Sequence, residues 1–145
     1  MKRILTLLCI LSLISAKGLL SQENKIIGTW LNEEATSHIR IFKATNGNYY
    51  GKIEWLKTEP ERLDVHNPDP EKQKQPLMGL LILRGFSYNA DEAQWENGTI
   101  YDPKVGKTYD CYMWFDGNDD QLYIKGYVLG MRFIGRETTW KRVKP

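Results

Sequence analysis

The stretch KTYDCYMWFDGNDDQLYIKGYVL, residues 107–129, decides how the rest of the chain is read. Tyr109, Cys111, Met113 and Phe115 alternate with Asp110 and Tyr112, a period of two that only a β-strand presents as one apolar face. Asp116-Gly117 then offers a turn, because both residue types tolerate turn geometry. Beyond it Leu122, Ile124 and Val128 alternate with Lys125 and Tyr127. Residues 107–129 therefore predict an antiparallel hairpin with one buried face.

The same period recurs in both directions from this hairpin. Strands are predicted over residues 26–32, 38–44, 48–56, 79–88, 93–101, 107–116, 121–129 and about 132–143. Asn46-Gly47 marks a second tight hairpin. No stretch carries a sustained helical period, and no repeat or low-complexity segment interrupts the pattern. Eight consecutive strands joined mostly by short turns predict an all-β fold, an eight-stranded antiparallel up-and-down β-barrel, since closure removes the exposed edges.

Successive connections of such a barrel alternate between its two ends. Segments 33–37, 57–78 and 102–106 share one end with the turn near Gly130; the hairpins at Asn46-Gly47, Asn89–Glu92 and Asp116–Asp120 share the other. Segment 57–78 contains HNPDPEKQKQPLMG (66–79), with Pro68, Pro70 and Pro76, and is by far the longest connection. Loop elaboration on a rigid scaffold is where binding residues concentrate, so the end carrying 57–78 is the expected mouth. The proline-rich stretch reads there as a lid or rim.

The N-terminus has a different character. Met1-Lys2-Arg3 precedes the apolar run Ile4–Ile14, and small residues follow at Ala16, Gly18 and Ser21. This is the layout of a secretory signal peptide over residues 1–21, cleaved between about 16 and 21, and the run is short for a bilayer span. The expected product is one domain, residues 22–145, in the periplasm or outside the cell, with no transmembrane segment. Losing Lys2, Arg3 and Lys17 takes the 20 basic residues to one below the 18 acidic ones. No positive excess is left to drive nucleic-acid binding. Cys111 becomes the single cysteine, so no intramolecular disulfide is expected.

Gly28-Thr29-Trp30 opens the first strand and Trp140-Lys141-Arg142 closes the last. A Gly-x-Trp in that place resembles the signature of the calycin superfamily, in which the Trp plugs the barrel base and a late basic residue packs over it. The resemblance implies those structural roles for Gly28, Trp30 and Arg142. The blocks NPDP, PLMGLLILRGF, GTIYDPKVGKTYDCYMW, KGYV and GRETTWKRV are similar to a bacterial secreted family known as domain of unknown function 2147. That likeness implies a lipocalin-like barrel in the periplasm and supplies no catalytic residues.

Reactive chemistry finds little support. Asp64, His66, Asn67 and Asp69 could offer oxygen ligands to calcium, but Asn and Asp also cap turns in proline-rich loops. Asp116–Asp120 begins like an EF-hand loop, yet Gln121 stands where glycine is needed and Tyr127 where glutamate is needed. His38, His66 and Cys111 form no zinc-spaced cluster. No metal and no cofactor are therefore expected. Cys111 reads as a buried inert thiol. Paired carboxylates at the mouth would have to come from Asp64, Asp69 or Asp102, a minor enzymatic reading.

Binding is the stronger expectation. In the last strand one register turns Arg136, Thr138, Trp140 and Arg142 the same way, and the other turns Phe133, Gly135, Glu137 and Thr139. An inward Arg136 could hold a ligand carboxylate; a paired structural arginine, or a bulge at Gly135 turning it out, is the alternative. Trp55, Trp95, Trp114 and Tyr109 could line a cavity, with Asp64, Asn67, Asp69, Asp102 and Lys107 on the mouth loops. The expected protein binds a small lipophilic or carboxylate-bearing ligand without chemistry. The competing expectation is a filled barrel that docks a protein or envelope component.

Overall fold

The alternation at residues 107–129 closes into a cylinder. The computed structural model describes residues 17–145, so the segment read as the core of a leader lies outside the described residues. Eight antiparallel strands join edge to edge in chain order: β1 (Gly28–Leu31), β2 (Ser37–Lys43), β3 (Tyr49–Leu56), β4 (Leu81–Asn89), β5 (Gln94–Asp102), β6 (Lys107–Phe115), β7 (Gln121–Val128) and β8 (Met131–Arg142). Closure comes from Trp30 pairing with Arg142 and Leu31 with Lys141. The barrel and its strand order match the reading of the sequence.

The inner face is set by the period of two. Trp30, Ile39, Ile41, Leu83, Met113, Leu122 and Ile124 are all sealed from solvent. Trp95 lies at the centre of an aromatic cluster, with its ring centroid 4.9 Å from Tyr88, 5.4 Å from Phe115 and 6.5 Å from Tyr49. Aromatic rings of this size bury large areas, and edge-to-face contacts such as Trp95 with Phe115 add directional preference. The lower half of the barrel is therefore filled.

Two departures from the expected strands have clear causes. The first strand begins at Gly28 rather than residue 26, because Asn24–Ile26 form a single 3-10 turn that tucks Ile26 under the barrel. The double-sided apolarity of residues 80–83 arises because Leu83 faces inward while Ile82, on the outer wall, is buried too. Leu77, near the end of the long 57–80 connection, is buried with it in the same apolar cluster.

The register of β8 is the first of the two considered. Leu122 pairs with Trp140, Ile124 with Thr138 and Gly126 with Arg136, so Arg136, Thr138, Trp140 and Arg142 share the inward row. Gly126 confirms the direction: a Cβ placed there would lie 3.5 Å from both Ile100 and Tyr109, which only a concave inner wall allows. Three residues of β8, 132–134, have no counterpart on β7, since Tyr127 pairs with Gly135 and Val128 with Met131. This wide bulge ends before Gly135 and does not turn Arg136 outward.

Candidate functional site

The two ends of the barrel are built for different tasks. At the base, the Arg142 guanidinium carbon sits 4.2 Å from the centre of the Trp30 ring. Its nitrogens donate to the carbonyls of Ile27 at 3.1 Å, Lys25 at 2.7 Å and Asp119 at 2.9 Å. Trp30 Nε1 donates to the Ile26 carbonyl, and Trp95 Nε1 to that of Glu23. Gly28 has φ +148°, and a Cβ there would come within 2.7 Å of Arg142 Nη1. Gly28, Trp30 and Arg142 thus meet in one closed plug at the base.

The mouth is more open. Going up the inner wall, Ile100, Tyr109, Gly126 and Thr138 are only partly buried, whereas their lower neighbours Cys111, Met113 and Ile124 are sealed. Above them stands Arg136, its side chain 74% exposed. The cost of an inward arginine is avoided because β8 carries it to the rim, where water reaches it. At this end the inner wall offers an accessible apolar floor with a cationic edge, the candidate cup.

The segment between β1 and β2 crosses this cup. Asn32 braces it: its Oδ1 accepts the backbone N–H groups of Thr36 at 2.8 Å and Ser37 at 2.9 Å. On one side Glu33 Oε2 lies 3.6 Å from Arg136 Nη2, and Glu33 Oε1 accepts the Thr139 N–H at 3.3 Å. On the other side Glu34 pairs with Lys104 in the β5–β6 turn. That turn is four strands away around an eight-stranded ring, so the pair spans the opening. The hydrogen bond from Lys104 holds the Glu34 carboxyl below its ordinary range. Glu33, Glu34 and Lys104 were not singled out from the sequence; only closure of the barrel brings them to one place.

The long 57–78 loop does not lie over the opening. Tyr101 alternates with the inward Ile100 and therefore faces outward; its hydroxyl donates to Asp64 Oδ1 at 2.7 Å. Asn67 Nδ2 donates to Asp64 Oδ2 at 2.8 Å, and both residues are buried. Burial, reinforced by the Asp64 carboxylate, pushes the Tyr101 hydroxyl up to about 12. The loop buttresses the outer wall of β4 and β5 and meets the β5–β6 turn where His66 lies against Gly106, so of the lid-or-rim reading the lid is corrected. Asp69 Oδ1 accepts the Glu71 N–H and Asp102 Oδ1 the Lys104 N–H, each within its own turn. Lys107 is exposed opposite Asp102. No opposed carboxylate pair emerges from these contacts.

The tryptophans also require correction as cavity-lining residues. Trp95 is part of the packed core. Trp114 alternates with the inward Met113, standing on the outer wall between Tyr112 and Tyr123, with centroids at 5.1 and 5.5 Å. A register shift between His38 and Ile39 places Trp55 opposite His38, on which it packs at 4.4 Å with 39% of its surface exposed. Of the proposed lining residues, Tyr109 and Arg136 remain at the cup. A separate shallow cleft of about 310 Å³ lies beside β4 and includes Pro76, Met78, Leu80 and Arg84.

Cys111 is fully buried on the inner wall, and burial pushes its thiol far above the ordinary range. A thiol without thiolate character or access is inert. A chain of residues 22–145, whose single thiol is Cys111, is therefore expected to resist Ellman's reagent when native, with one equivalent reacting once guanidinium unfolds it. Stoichiometric labelling of the native protein at neutral pH would contradict this. Among the described residues, no three His, Cys, Asp or Glu side chains gather as a metal site. Nor is any helix there long and apolar enough to cross a membrane.

Comparison with known proteins supports the fold. No curated protein matches the chain. The chain is similar to a solved structure described as protein HP1028 from the human pathogen Helicobacter pylori, which belongs to the lipocalin family. The two share 21% identity and a TM-score of 0.72, over 82% of this chain and 83% of that one. At that identity the likeness concerns the barrel itself. The model of the family described as "Uncharacterized protein conserved in bacteria (DUF2147)" matches residues 28–142, from the glycine of the base plug to its arginine, and the chain belongs to that family.

Proposed function

We propose that this protein is a non-catalytic carrier of a small, partly apolar, anionic molecule, which it holds in the mouth cup. One observation carries the reading: the inward row is sealed below Cys111 and Ile124 but remains accessible at Ile100, Tyr109, Thr138 and Arg136. An apolar floor with the Arg136 cation at its edge fits a flat hydrophobic body with one acidic group. The filled lower barrel limits the ligand to a small one. Export to the periplasm or the cell exterior belongs to the same proposal, supported by the basic, apolar, small-residue order of residues 1–21.

Two naphthalene dyes test this reading, because they share a ring system and differ in charge. Anilinonaphthalene sulfonate is anionic, and N-phenylnaphthylamine is neutral. Both are expected to bind the folded protein, and Tyr109→Ala should weaken both by about fivefold through lost aromatic contact. Arg136→Ala should weaken the sulfonate alone, by about fivefold, as an exposed ionic contact allows. Failure of the wild-type protein to bind either dye would overturn the cup, and an unchanged sulfonate affinity in Arg136→Ala would remove the anchor.

A second reading has its own observation. Leu129 is 83% and Phe133 79% exposed at the β7–β8 hairpin, with Val128, Ile134 and the nearby Val105 also exposed. An apolar rim of this kind suits docking to a protein or envelope component. In that case the dyes would still bind in Arg136→Ala and Tyr109→Ala, and would be lost in Leu129→Ser/Phe133→Ser.

A further inference from the structure

The carboxylate of Glu33 lies against Arg136, the cation at the edge of the cup. Strand β1 ends at Leu31, whose partner is Lys141, so β8 continues upward with no strand on that side. The Thr139 N–H faces this gap and finds its acceptor in Glu33 Oε1. The other carboxylate oxygen meets the Arg136 guanidinium. A backbone N–H and a guanidinium converging on two oxygens of one acid form an anion seat, filled by a side chain of the protein itself.

We propose that Glu33 is a tethered competitor, and that an organic carboxylate or sulfonate enters the mouth by displacing it from Arg136 and Thr139. This inference rests on the cup being a binding site, as argued above. The loop is suited to the exchange. Asn32 fixes its root through hydrogen bonds to residues 36 and 37, and the Glu34–Lys104 pair fixes its far side. The Glu33 side chain is 46% exposed, so it can swing into water without unfolding the loop. A neutral molecule has no group to exchange for the carboxylate and gains nothing at this seat. Glu33 therefore sets a threshold that favours anions of adequate apolar surface over small inorganic ions.

The dye pair separates this inference from the reading beneath it. In Glu33→Gln the sulfonate dye is expected to bind about fivefold tighter, with the gain shrinking at high salt, while the neutral dye changes by less than about twofold. Glu137→Gln removes the same charge beside the same arginine without vacating the seat, and should give less than about twofold. The gain should vanish in Glu33→Gln/Arg136→Ala, the signature of a coupled pair. Equal sulfonate affinity in wild type and Glu33→Gln, or an equal gain in Glu137→Gln, would overturn the competitor role and leave the cup standing. Binding of neither dye to any variant would overturn both.

Discussion

Arg142→Ala is expected to lower the unfolding free energy by about 3 kcal/mol, combining a lost cation–π contact with several charge-assisted hydrogen bonds. The guanidinium joins three parts of the base: the Trp30 ring, the carbonyls of Lys25 and Ile27, and the β6–β7 turn at Asp119. Its side chain is 21% exposed, and the bonds to Lys25 and Ile27 are part-buried while that to Asp119 lies at the surface. Truncation leaves the acceptor carbonyls and the face of Trp30 without a partner, which costs more than the bonds themselves contribute. Arg142→Lys keeps the charge but cannot reach several carbonyls with a planar fork, and should recover less than half of the loss. Urea unfolding followed by tryptophan fluorescence checks this, with the slope unchanged and the midpoint lowered. A loss below about 1 kcal/mol for Arg142→Ala would show that the plug is held by apolar packing alone.

What could be read from the sequence divides along physical lines. Strand alternation is local, and closure of eight strands follows from the need to remove edges, so the barrel and its two ends were legible. The base was legible as well, because Gly28, Trp30 and Arg142 lie at the two strand ends that must meet. The mouth was not. Bulges shift the alternation by one residue, and Trp55 was misread for that reason: the shift at His38/Ile39 turns it to the outward side that carries His38. Trp114 shows a related limit, since an outward aromatic row on β6 and β7 looks from its spacing just as suited to an interior. Glu33 and Glu34 carry no local signal whatever. Their meaning depends on Arg136 and Lys104, which approach them only in the closed ring.

Gly106→Ala is expected to be as damaging as the loss of Arg142, and it tests the role of the 57–78 loop. Gly106 has φ +67°, and a Cβ there would lie 1.7 Å from the His66 carbonyl oxygen. That obstacle is backbone, so relief requires the β5–β6 turn and the loop to separate. Separation takes with it the Tyr101–Asp64–Asn67 hydrogen bonds and the cover over Ile82 and Leu77. Backbone strain and the exposed apolar surface together amount to about 3 kcal/mol or more. Gly47 and Gly117 provide the control, with φ +85° and +75° and nothing within 4 Å of an added Cβ. Alanine there carries the conformational strain alone, about 1 kcal/mol. Trypsin gives the local readout, because Arg62, Lys72 and Lys74 lie in the loop. Gly106→Ala should be cut there far faster than wild type, and Gly47→Ala should not. If cleavage in Gly106→Ala instead began at Lys104 or Lys107, in the β5–β6 turn itself, the loop would not be what that glycine holds, and the long proline-rich connection would have to be anchored through Asp64 alone.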